Sequence, residues 1–110
     1  MNLSVETLDN STVIKVEGRL DTLTAPQLEA VVMALIEKSA INIIMDLSQM
    51  GYISSTGFRV LILGQKKVKP QGGQVILVGV NPEIQENFDI SGFNQFFLFF
   101  SNLEVALTHF

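Results

Sequence analysis

The sequence predicts a single α/β domain, a mixed and mostly parallel sheet of about five strands with about four helices. Three observations lead there. Short apolar runs rich in β-branched and aromatic residues recur at 3–8, 12–18, 41–47, 74–79 and 96–100. Between the later runs, apolar residues repeat at spacings of three and four, the period of a helix that buries one face. The chain has 110 residues, of which 47% are apolar and 16% charged, enough for one hydrophobic core and too short for two.

The first two runs, LSVETL and TVIKVEG, flank Asp9, Asn10 and Ser11, whose side chains favour turns, so a hairpin opens the fold. Thr24 begins T-A-P-Q, read as an N-cap with Gln27 as its capping-box partner and Pro26 in the first turn. The helix that follows gathers Ala25, Leu28, Val31, Val32, Leu35 and Ile36 on one face. INIIMDL at 41–47 is a strand buried on both sides, with Asp46 as a strand-end residue. From Thr56 to Lys69 the pattern is helical, with Phe58, Leu61, Ile62, Gln65 and Lys69 on one side, until Pro70, Gly72 and Gly73 stop it. QVILVG is the next strand, and Asn81-Pro82 has the form of an N-cap and first helical residue for a short helix through Phe88, closed by Gly92. FFLFF at 96–100 is the last strand, and S-N-L-E at 101–104 is a capping box for a C-terminal helix. The order β-β-α-β-α-β-α-β-α, over residues 1–110 as one domain, shows no repeat, linker or low-complexity stretch.

The phenylalanine run raises its own question. Strand alternation puts Phe96, Leu98 and Phe100 on one face and Phe97 and Phe99 on the other. A final strand is expected near a sheet edge, so either helices cover both faces or Phe97 and Phe99 form a partly exposed patch for self-association or partner contact.

Composition narrows the function. With no cysteine and one histidine, His109, the chain lacks the means for thiolate chemistry, zinc sites or a histidine-based triad, and neither a cofactor nor enzyme activity is expected. A net charge of −4 argues against nucleic-acid binding, although Arg59, Lys66, Lys67 and Lys69 fall in one short segment. MNLSVETLDN does not read as a signal peptide, and the apolar runs fall far short of the roughly 20 residues a membrane helix needs. The expected protein is cytoplasmic, with no membrane partner.

The unusual stretch is YISSTGF, where Ser54, Ser55 and Thr56 stand at the junction between a strand and a helix. One hydroxyl there is an ordinary N-cap, but a cap does not need three. A nucleophile elbow would require glycines at 53 and 57, and only Gly57 is present. Free amides at a helix start favour an anion, yet no phosphate-binding loop pattern occurs. Covalent phosphorylation is the remaining reading, since a phosphate is tolerated at a helix N-terminus while it changes the charge of the surface.

Four separated segments carry a family resemblance: G-R-L-D at 18–21, D-L-S-Q-M-G-Y-I-S-S-T-G-F-R-V-L at 46–61, G-G-Q-V at 72–75, and N-P-E-I through I-S-G-F at 81–93. Together they resemble the STAS domain of bacterial anti-sigma factor antagonists over nearly the whole chain. The resemblance implies a binding module in signal transduction and transcription regulation, switched by phosphorylation. Its implied partners are an anti-sigma factor that is a serine/threonine kinase, bound by the unphosphorylated form so that a sigma factor is freed, and a phosphatase. Alignment on Gly57 implies Ser55 as phosphoacceptor, ahead of Ser54 and Thr56; the family often has aspartate where Ser54 stands. The implied partner surface comprises Asp21, Thr22, Ser54, Ser55, Thr56, Gly57 and Phe58, with Gly57 giving a partner room to approach. A different role within the family is that of an accessory or scaffolding protein in a signalling or lipid-transport complex.

Overall fold

The structure, a computed structural model, describes residues 1–8 and 10–110; Asp9, placed in the expected turn, lies outside the described residues. Strands β1 (Asn2–Leu8) and β2 (Ser11–Leu20) form the antiparallel hairpin, and α1 (Ala25–Glu37), β3 (Asn42–Ile53), α2 (Ser55–Val68), β4 (Gln74–Val78), α3 (Pro82–Ser91), β5 (Phe99–Phe100) and α4 (Leu103–Leu107) follow. The sheet order is β1-β2-β3-β4-β5, with every pair after the first parallel. Each strand-helix-strand step moves one strand along in the same direction, so right-handed crossovers place α1, α2 and α3 on one face. That face holds the main core, built on Ile14, Val16, Ile43, Met45, Val75 and Leu77 of the sheet. The opposite face is covered by α4, over a smaller cluster of Val13, Ile44, Ile76, Val78 and Ala106.

β3 is longer than its apolar run suggests. Its second half pairs only with β2, and the register slips once between Lys15 and Glu17 and again between Gly18 and Arg19. Each slip breaks the two-residue alternation, so the buried residues of this half are Leu47, Met50 and Ile53, three apart. Asp46 is accordingly not at the strand end. It is the last β3 residue paired with β4, and its carboxylate accepts hydrogen bonds from the Ser48 amide at 3.1 Å and hydroxyl at 2.7 Å.

Two caps differ from expectation. Thr24 has helical dihedrals and makes no cap bond; its hydroxyl donates to the Arg19 carbonyl at 2.8 Å, and the ionised Asp21 accepts its amide instead. Before α4 the cap is Asn102 rather than Ser101, accepting from the Val105 amide at 2.9 Å. Asn81 caps α3 as its Asn-Pro signature requires, and Gly92 ends that helix at φ +79°.

The phenylalanine run is largely not a strand. After Gly92 the chain makes a tight 3-10 turn over Phe93–Phe96, and only Phe99 and Phe100 join the sheet. The turn rotates Phe97 and Phe99 towards the buried Phe88, whose ring lies 5.9 Å from Phe97 and 5.2 Å from Phe99. Phe97 is 7% exposed, so the expected Phe97 and Phe99 association patch is corrected: this pair packs on the core, and Phe96 and Leu98, each 42% exposed, face out.

Because β5 is so short, the β4 backbone at Val75 lacks a strand partner on that side. Gln65, 3% exposed, fills the place: its Oε1 accepts the Val75 amide at 2.7 Å, and its Nε2 donates to the Val75 carbonyl at 2.9 Å and the Phe96 carbonyl at 2.6 Å. Replacing Gln65 by Leu strands buried backbone groups, and urea unfolding should show a loss of about 2–4 kcal/mol.

Candidate functional site

Parallel strands β2 and β3 end on the same sheet edge, and the chain leaves each into the start of a helix. The amide of Ser54 donates to the Leu20 carbonyl at 2.9 Å, which ties the two strand ends together. Gly57 then sits in the first turn of α2 directly over this junction. A Cβ there would lie 2.8 Å from Ile53 Cγ1 and 2.9 Å from both Leu20 Cγ and the Leu20 carbonyl oxygen. The room that glycine provides is therefore used inside the protein. Gly57 is buried and offers no approach to a partner, a correction to the expected role.

The three hydroxyls, adjacent in sequence, have different surroundings. Ser54 is the N-cap of α2, extended at φ −95° and ψ 173°, and its Oγ accepts the Gly57 amide at 3.3 Å. Thr56 is half-buried and hydrogen-bonds hydroxyl to hydroxyl with Thr22 at 3.3 Å. Ser55 is exposed as the first helical residue, and among the described residues its hydroxyl has no hydrogen-bond partner. Phe58, expected at the partner surface, is 7% exposed and stacks edge-on against Phe88 at 4.7 Å between ring centres. It supports the site from beneath, a further correction.

Asp21 and Thr22 lie in the loop after β2, beside the start of α2. The Asp21 carboxylate accepts from the Leu23 amide at 3.0 Å and the Thr24 amide at 3.1 Å, shares the single Thr24 hydroxyl proton at 3.2 Å with the nearer Arg19 carbonyl, and pairs with Arg19 Nε at 3.5 Å. Partial burial pushes the Asp21 carboxyl up, but the hydrogen bonds from Thr24, Leu23 and Arg19 outweigh it and hold the group below the ordinary aspartate value. The Arg19 guanidinium also lies over the Tyr52 ring, 4.1 Å from its centre. Thr22 thus joins the hydroxyl cluster from a loop held by Asp21.

Sequence reasoning did not single out the exposed apolar residues nearby or the separate place of Arg59. Leu23, next to Thr22, is 86% exposed. Arg59, grouped by sequence with Lys66, Lys67 and Lys69, stands one turn from the start of α2 and lines a groove of about 270 Å³ with Ser55, Ile62 and Phe93. Its spacing of four from Ser55 was the available signal. His109 lies elsewhere, with Nε2 3.0 Å from Gln74 Oε1 at the start of β4. No group of three or more metal-ligating side chains occurs among the described residues, and no helix there is long and apolar enough to cross a membrane.

The STAS domain profile matches residues 2–106. The chain belongs to the STAS domain family. BtrV of Bordetella bronchiseptica, which bears the name of an anti-sigma factor antagonist, is 32% identical over all of this chain and 95% of its own length. The crystal structure of an anti-sigma factor antagonist from Mycobacterium paratuberculosis superposes with a TM-score of 0.88 at 28% identity, covering 98% of this STAS domain and 92% of that chain. Bacillus SpoIIAA in its phosphorylated form shares the fold, with a TM-score of 0.79 at 21% identity and 98% of both chains covered.

Two measurements check the site. Gly57→Ala should unfold at lower urea, by about 1–3 kcal/mol, because the added methyl has backbone as well as side chains in its way. For Asp21 the folded state favours the carboxylate, so its contribution to stability is present above the unfolded pKa and is lost as pH falls through the lowered folded pKa. The amide signals of Leu23 and Thr24 should therefore titrate below the range of an exposed aspartate, and Asp21→Asn should abolish that titration.

Proposed function

We propose that this STAS domain is a phosphorylation-switched anti-sigma factor antagonist with Ser55 as its phosphoacceptor. The unmodified form binds an anti-sigma factor that is a serine kinase and so releases a sigma factor; phosphorylation ends that binding, and a phosphatase restores it. The observation that carries the reading is the division of the hydroxyls: Ser54 is spent on the cap and Thr56 on Thr22, while Ser55 alone is exposed and unpartnered. Relatives matched across most of their length are named as anti-sigma factor antagonists, which supports the same assignment.

In the transfer, Ser55 Oγ bonds to the γ-phosphorus of ATP as the bond to the β-γ bridging oxygen breaks. ADP leaves, and the hydroxyl proton passes to a base of the kinase. The product carries a charge of about −1.5 to −2 at the positive end of α2, a position that tolerates it. SpoIIAA retains this fold in both states, with TM-scores of 0.78 to its unphosphorylated form and 0.79 to its phosphorylated form. The phosphate accordingly acts on the partner contact and leaves the architecture in place. Thr22, Ser54 and Thr56 frame that contact together with the Asp21 loop, whereas Gly57 and Phe58 hold it from inside.

The test is incubation with the cognate kinase and ATP, followed by mass-spectrometric site mapping. Phosphate on Ser55 is expected, and phosphate on Ser54 or Thr56 alone would overturn the assignment. Ser55→Ala should bind the anti-sigma factor like the unmodified protein, and phosphoserine at 55 should weaken binding at least about tenfold, because a net negative charge and its bulk added to an interface built for a hydroxyl are costly. Equal affinity of the two forms would remove the switch.

A further inference from the structure

Arg59 lines the same groove as Ser55, and among the described residues that line it Arg59 alone is basic. It is exposed, and among the described residues the single ion pair is Arg19 with Asp21, so Arg59 has no carboxylate partner. Arg19 is further held by the Tyr52 ring. The remaining walls of the Ser55 groove, Ile62 and Phe93, are apolar and half-buried.

Helix geometry brings the two groups together. Residues four apart lie on one face, and a long side chain on a helix leans back towards the N-terminus, over the residue one turn before it. Arg59 therefore reaches towards position 55. The order is also the favourable one, since an anion N-terminal to a cation at this spacing agrees with the helix dipole. An arginine presents a planar fork of donors suited to phosphate oxygens, whereas a serine hydroxyl gives it little to bind.

We propose that Arg59 is the intramolecular receptor for a phosphate on Ser55, pairing with it across one turn of α2 at the solvent-exposed mouth of the groove. This rests on Ser55 being the modified residue. Phosphorylation then has two effects at once. It adds an anion at the helix start, and it engages the only cation of this groove, so the charge presented outward is partly neutralised. Lys66 and Lys67, in the last turn of the same helix, take no part.

The experiment uses the full chain with phosphoserine placed at position 55 during translation, followed by 31P NMR titration of the second phosphate ionisation. Pairing with a guanidinium favours the dianion, so the midpoint in the Arg59→Gln phosphoprotein should lie about half a unit above that of the unsubstituted phosphoprotein. Lys66→Gln, which removes the same charge from the far end of the helix, should move the midpoint by no more than about a tenth of a unit in physiological salt. Arg59→Lys should retain part of the effect. Identical midpoints with and without Arg59, or an equal displacement in Lys66→Gln, overturn the proposal. No kinase is involved in the preparation, so a failure of any kinase to label Ser55 is read separately from the titration, and a flat titration leaves the Ser55 switch standing.

Discussion

The seating of α2 on the ends of β2 and β3 is the contact on which the site depends. It requires that position 57 carry no side chain, because Leu20 and Ile53 already occupy the space. With the helix so close, the Ser54 amide reaches the Leu20 carbonyl and Thr56 comes within reach of Thr22. Ser55, on the remaining side of the first turn, is left in solvent. The chemistry offered at the surface is thus a consequence of packing beneath it: one missing methyl decides where three hydroxyls point.

Phe58 continues the same arrangement one residue further. Its ring meets Phe88 of α3 edge-on and Phe93 at 5.4 Å, and Phe88 in turn meets Phe97 and Phe99. This aromatic cluster joins α2, α3 and the chain leading to β5, so the helix that displays Ser55 is fastened at its first turn to the sheet and just below it to the neighbouring helix. A phosphate at position 55, as proposed, would sit on a helix already packed on two sides. That fits a switch read by a partner better than one that reshapes the fold.

Much of the architecture was legible in the sequence because local signals and packing agree there. The Asn81-Pro82 start and Gly92 end of α3, the hairpin, and the alternation of apolar strands with amphipathic helices each state in short range what the tertiary structure uses. The misreadings arose where a competing contact, local or between strands, overrode the sequence pattern. Thr24 looked like a cap, but its backbone is already helical and its hydroxyl is turned back onto the Arg19 carbonyl. The second half of β3 was hidden because register slips spread its buried residues to every third position. The aromatic run resembled a strand, but the turn at Phe93–Phe96 sends its members to the core and to solvent in a sequence no alternation describes. At the site, the motif located the hydroxyls, but only the fold separates the serine that caps from the serine that is free.

The clasp of Gln65 on Val75 has a meaning for assembly as well as for stability. An unpaired strand margin is a template on which a foreign chain can add a strand, and proteins that fail to cover such margins are prone to join edge to edge. Here a helix side chain occupies the backbone positions that a sixth strand's worth of pairing would otherwise seek, and β5 itself offers only two residues. The open margin of the sheet among the described residues is therefore the outer side of β1, seven residues long with Val5 45% exposed.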